Sequence, residues 1–131
     1  MATNTPGTDA RLYHTSQTQY LRETITANTI PGVNHSMGFV PGGSVIVGGG
    51  VVVQTAFDGT AIVDIGTADD PDGFATDVAV SSAGVKAADE LASSNDVTPS
   101  VDTEIVYSVA NSAQMTAGVG FVYVEFMPNL G

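Results

Sequence analysis

The chain has no cysteine and no tryptophan, and only three of its 131 residues are Lys or Arg. Without cysteine there is no disulfide, no thiolate metal site and no cysteine nucleophile. Three cations cannot form the cluster that displaces counterions from nucleic acid, nor hold a chain on an anionic membrane, so neither partner is expected. Against them stand 14 acidic residues, for a formal net charge of −11. The imbalance is uneven. Residues 1–22 hold Arg11, Arg22 and Asp9, a balance of +1, whereas residues 23–131 hold Lys86 against thirteen acids, a balance of −12.

Long hydrophobic runs are missing too. The most apolar stretch, Val45 to Val53, is broken by three glycines and falls short of the roughly 20 residues a spanning helix needs. The opening "MATNTPGTDARLYHTSQTQYLRE" lacks the apolar centre of a secretory signal, so the expectation is a soluble chain made without an export signal. What is present is enough for a folded domain. Hydrophobic residues make up 43% and charged residues 13%, so one apolar core is expected beneath a surface of Ser, Thr, Asn and Gly.

Residues 1–20 are polar and without sustained periodicity, and they are expected as an extended arm ahead of a domain at 21–131. Composition by itself favours a frayed terminus; the functional reading is an arm that orders against a partner. From Leu21 onward the pattern is strands. "ETITANTI" alternates until Pro31-Gly32. "GSVIVGGGVVVQTAF" is rich in β-branched residues and reads as two strands, or one sharply bent, at Gly48 to Gly50. Asp58-Gly59 reads as a hairpin turn into "TAIVDIG". "DVAVS" is a short alternating strand, and "KAADELASS" is the only segment with a helical turn or two in it. In "TEIVYSVAN", Ile105, Tyr107 and Val109 point opposite to Val106 and Ser108. In "GFVYVEFM", Phe121, Tyr123, Glu125 and Met127 oppose Val122, Val124 and Phe126. Both faces of this last strand are apolar, so it is central, or one face meets a partner. The prediction is an all-β antiparallel β-sandwich of about eight strands, for which a jelly roll fits the count.

Few residues offer chemistry. Asp70-Pro71-Asp72-Gly73 matches a turn position by position. Asp69, Asp70, Asp72 and Asp77 also offer hard oxygen ligands, but the twelfth position of an EF-hand loop, counted from Asp70 or Asp69, falls on Ser81 or Val80 rather than Glu. As a glycosidic acid–base pair these aspartates are poorly placed, because a solvated, exposed turn is poor ground for a raised carboxyl pKa. His14 and His35 are the only histidines, and neither accompanies a nucleophile elbow. The glycines of "VPGGSVIVGGG" lack the Gly-Lys-Ser/Thr of a phosphate loop and read as backbone bends. Tyr107, Phe121, Tyr123 and Phe126 could stack a sugar, although alternating aromatics on strands are more often core.

The run "TAFDGTAIVDIGTADDPDGFA" and the closing "VYVEFMPN" resemble a small β-domain of structural proteins of tailed bacteriophages, over roughly residues 40–80 and 104–128. The resemblance implies a non-enzymatic virion part without cofactor or metal. In a free-standing chain of this length it points to a capsid decoration (cement) protein. Such a protein would bind the phage major capsid protein on the outer capsid surface as a homotrimer. A small sandwich needs its edge strands covered, and a trimer gripping several shell subunits gains avidity. Arg11, Tyr13, Tyr20 and Arg22 are the expected partner-interface anchors, being of the types that concentrate interface energy. The alternative is a carbohydrate- or receptor-binding module of a phage tail or head fibre.

Overall fold

The computed structural model describes residues 18–29, 31–58, 60–91, 94, 96–110 and 116–128. They form eight strands: β1 (Gln19–Thr26), β2 (His35–Val40), β3 (Val45–Thr55), β4 (Ile62–Thr67), β5 (Ala75–Ala79), β6 (Gly84–Ala87), β7 (Thr103–Ala110) and β8 (Val119–Met127). All pairings are antiparallel, in two four-stranded sheets of order β1-β8-β3-β6 and β2-β7-β4-β5. Only β4 and β5 are consecutive neighbours; every other connection crosses between the sheets, which makes the sandwich a jelly roll.

Strand alternation supplies the core. β8 turns Val122, Val124 and Phe126 inward, β7 turns Ile105, Tyr107 and Val109, and β3 contributes Ile46, Val51 and Val53. Val63 and Ile65 of β4 meet them, and Phe57 and Phe74, from the loops beside β3 and β5, are the largest fully buried side chains. Each such side chain contributes about 1.5–3 kcal/mol by leaving water. β8 is central in its sheet, between β1 and β3, and its outer face is the apolar one left over.

Two local expectations are resolved and two are corrected. The glycine-interrupted run takes the second of its two expected forms, a single 11-residue strand, β3, bent by a register shift between Ile46 and Gly48. Glycine is needed because both neighbours press on it: a Cβ on Gly49 would lie 2.9 Å from the Tyr123 carbonyl, and one on Gly50 would strike the Lys86 carbonyl. Asp58-Gly59 does not join a hairpin, since β3 and β4 lie in opposite sheets and both edges of β3 are taken by β8 and β6. The Asp58 carboxylate instead accepts bonds from Thr116 and Ala117. In "KAADELASS", Lys86 and Ala87 end β6, and a single 3₁₀ turn starts at Leu91, whose carbonyl accepts from the Ser94 N–H at 3.3 Å. Finally, β1 takes up Gln19 and Tyr20, paired with Phe126 and Glu125, from the segment expected as an arm.

Two strands carried no legible pattern. In β2 a bulge between Ser36 and Gly38, with Gly38 at φ 120°, places buried Met37 and Val40 three residues apart instead of two. β6 has four residues and no buried apolar side chain.

Candidate functional site

The Asp70-Pro71-Asp72-Gly73 segment is a turn: the Gly73 N–H donates to the Asp70 carbonyl at 2.9 Å, and Thr67 and Asp70 exchange backbone bonds of 3.0 and 3.1 Å. The loop lies flat on the β4 backbone, where a Cβ on Gly66 would collide with the Asp70 carbonyl. It closes one side of a polar depression of about 480 Å³ lined by Asp70, Asp72, Thr76, Glu90, Ser94 and Asp96. Hydrogen bonding to Asp72, then burial, then the charges of Asp72 and Asp96, push the Asp70 carboxyl above its ordinary value. Among the described residues, no group of three or more His, Cys, Asp or Glu side chains is placed to hold a metal ion. Asp77 sits apart on the β5 bulge, its N–H bonded to Asp64 at 2.7 Å.

The remaining candidates are also placed by packing. His35 opens β2 and stacks on Tyr107, ring centroids 5.2 Å apart. Gly42 and Gly43 donate to Asp102 and to the Pro99 carbonyl at 2.9 and 2.7 Å, so they close the chain against residues 99–102. The four aromatic side chains considered for sugar stacking are divided between faces: Tyr107 and Phe126 are buried in the core, whereas Phe121 and Tyr123 point outward.

Outward-facing Phe121 and Tyr123 belong to a cleft of about 380 Å³ on the outer face of the β1-β8-β3-β6 sheet, lined by Tyr20, Arg22, Val52, Val85, Phe121, Tyr123 and Glu125. The register builds it, because residues directly opposite in antiparallel strands share a face. Tyr20 is opposite Glu125 and Arg22 is opposite Tyr123. Across β8, Val52 is opposite Phe121 and then Val85, while Gly50 and Gly48 stand opposite Tyr123 and Glu125. The two glycines leave the furrow open.

The Arg22 guanidinium lies 3.8 Å from the Phe121 ring centre, and Phe121 and Tyr123 are tilted against each other at 6.3 Å. Burial first, then Glu125 and Tyr20, push the Tyr123 hydroxyl above its ordinary value. Tyr20 and Val85 at the two rims are 60% and 68% exposed, so much of this apolar surface is open to water.

Of the four expected anchors, Tyr20 and Arg22 therefore share one cleft. Arg11 and Tyr13 lie outside the described residues, as does His14. The Phe121–Tyr123–Glu125 alternation was visible in sequence; the contributions of Val52 and Val85 depend on which strands neighbour β8.

No protein-family model matches the chain, and no curated protein matches it. Two solved structures share its fold. It is similar to a chain of the cyanophage Pam1 capsid asymmetric unit, with a TM-score of 0.62 and 14% identity over 86% of this chain and 86% of that one. It is also similar to a chain of the acidic stable capsid structure of Helicobacter pylori bacteriophage KHP30, with a TM-score of 0.64 and 18% identity over 86% of this chain and 88% of that one.

Proposed function

We propose that this protein is a non-enzymatic structural component of a bacteriophage virion, a decoration or cement protein that binds the major capsid protein on the outer surface and stabilises the shell. The observation that carries the reading is reciprocal coverage. Each phage-capsid neighbour is matched over nearly the same share of its own length, 86% and 88%, as the 86% of this chain. Those neighbours are thus small chains of comparable length, not domains cut from a long fibre. The physics of the body agrees with such a role: a jelly roll whose apolar opening, between β1, β8, β3 and β6, is a surface cleft suits adhesion better than enclosure of a substrate.

In this reading the protein acts as a homotrimer, and Arg11, Tyr13, Tyr20 and Arg22 contribute to its contacts. Each grip on the shell is weak, but linked grips make the later ones effectively intramolecular. Particles assembled without the protein are expected to release their genome at lower temperature and under milder osmotic shock, and adding it back restores resistance. Equal resistance with and without it refutes the proposal.

The aromatic cleft favours a second reading, a carbohydrate- or receptor-binding module on a tail or head fibre. Against it, Arg22 already covers one face of Phe121, leaving less free ring for a sugar. Copy number per particle separates the two: many copies spread over the shell for decoration, few at a vertex or tail for receptor binding.

A further inference from the structure

The carbonyl that joins Asp70 to Pro71 is gripped from two sides. Its oxygen accepts from the Gly73 N–H at 2.9 Å and from the Thr67 N–H at 3.0 Å. An ordinary β-turn supplies only the first of these donors. The second is present because Gly66, lacking a Cβ, lets the loop lie on β4. Two N–H groups at such distances stabilise the oxyanion that forms when a nucleophile adds to the carbonyl carbon. The Asp70 N–H is held as well, at 3.1 Å from the Thr67 carbonyl and 3.0 Å from its hydroxyl, so the backbone is fixed and the side chain is left to swing. Side chain and carbonyl both face Gly73: a Cβ there would lie 2.7 Å from Asp70 Oδ2 and 3.2 Å from the carbonyl oxygen. Asp70 and Asp72 are exposed, so water reaches the bond.

An Asp–Pro bond carries its own nucleophile. The aspartyl carboxyl reaches its own carbonyl carbon through a five-membered ring, which makes the attack intramolecular. The Pro nitrogen belongs to a tertiary amide and departs as a secondary amine once protonated.

We propose that the Asp70–Pro71 peptide bond is a self-cleavage site in mild acid, with Asp70 as nucleophile, Asp72 as proton carrier and the Thr67 and Gly73 N–H groups as the oxyanion hole. An Asp70 carboxyl oxygen adds to the Asp70 carbonyl carbon, and the carboxyl proton passes by way of Asp72 to the Pro71 nitrogen. The C–N bond breaks and leaves a cyclic anhydride at Asp70, which one water opens to two carboxyl groups. The hydrogen bond to Asp72 keeps the proton on Asp70 to higher pH than an ordinary carboxyl would. Glu90 and Asp96 are the other titratable groups facing it across the depression.

The cut does not separate the pieces. Residues 1–70 carry β1 to β4 and residues 71–131 carry β5 to β8, and both sheets alternate strictly between the two sets. Every strand pairing therefore joins one piece to the other. Cleavage happens once per chain, so it goes beyond the structural role without making the protein an enzyme that turns over.

Mass spectrometry of the purified chain tests this, with native and urea-unfolded samples incubated across the acid range in which carboxyls titrate. The native chain should yield residues 1–70 and 71–131, together one water heavier than the parent. It should do so about tenfold or more faster than the unfolded chain, in which the bond cleaves without the oxyanion hole. Before denaturation the two pieces should elute as one particle. Asp70→Ala should abolish the cut. Asp72→Asn and Gly66→Ala should slow it toward the unfolded rate, while in urea neither should matter. A native chain that cuts no faster than the unfolded one, a cut at another bond, or native rates unchanged by Asp72→Asn and Gly66→Ala would each overturn the proposal.

Discussion

The Thr116 hydroxyl donates a 2.7 Å hydrogen bond to Asp58 Oδ2, and the Thr116 N–H donates to both oxygens of that carboxylate, at 2.9 and 3.0 Å. The Ala117 N–H adds a fourth bond at 3.2 Å. These contacts tie the β3–β4 crossing to the strand entering β8. Beside them Gly118 is pressed against Phe57 so closely that any Cβ would enter the ring. The clamp thus holds a buried Phe under a backbone that has no room to shift.

Asp58→Ala should therefore lower the melting temperature, and Asp58→Asn, which keeps one acceptor, should lower it less. The Thr116 hydroxyl first, then the Thr116 and Ala117 N–H groups, hold the Asp58 carboxyl below its ordinary value. A depressed folded pKa contributes stability that is present above the unfolded pKa and lost as pH falls through the folded one. Thermal unfolding across the acid range should show a shallower loss for Asp58→Asn than for the parent chain.

The Asp70 carboxyl has the opposite sign. Its raised folded pKa means the folded state holds a proton more tightly than the unfolded state. The associated stability is present below the unfolded pKa and declines as pH rises through the folded value. Asp72→Asn removes the facing charge and should flatten that decline. Denaturant midpoints measured from the unfolded carboxyl pKa upward to neutral pH would reveal it, and parallel profiles for the two chains would contradict it.

Gly66→Ala places a methyl group into the Asp70 carbonyl and within 2.5 Å of the Pro71 carbonyl carbon, both backbone and neither able to swing away. The aspartate loop must lift from β4, at an expected cost of about 1–3 kcal/mol. Urea unfolding measures the loss, and proteolysis between residues 67 and 74 should become easier.

Phe126 and Phe121 share β8 but face opposite ways. Phe126 is 4% exposed in the core, and its replacement by Ala should cost about 3–5 kcal/mol. Phe121→Ala loses the Arg22 contact and some apolar cover, about 1 kcal/mol at an exposed site. Chemical denaturation of the two variants should rank them in that order.

Local patterning was enough to determine that this chain is an antiparallel β-sandwich of about eight strands. The alternations in "TEIVYSVAN" and "GFVYVEFM" each assign a residue to a face, because side chains on a strand must alternate. The turn at Asp70–Gly73 was legible for a similar reason, since Pro and Gly constrain their own backbone. β2 escaped because its bulge breaks the period, and β6 because it buries nothing large. Tertiary structure alone decided the rest. Asp58-Gly59 has hairpin chemistry, yet a two-residue turn forms only if its strands are partners, and jelly-roll pairing had already given both edges of β3 to distant strands. The cleft is of the same kind. Tyr20, Val52, Val85 and Phe121 are scattered along the chain, and they share a surface only because β1 and β3 flank β8 and β6 borders β3. Which strands become neighbours is set by burial of the whole core at once, and no local segment carries that information.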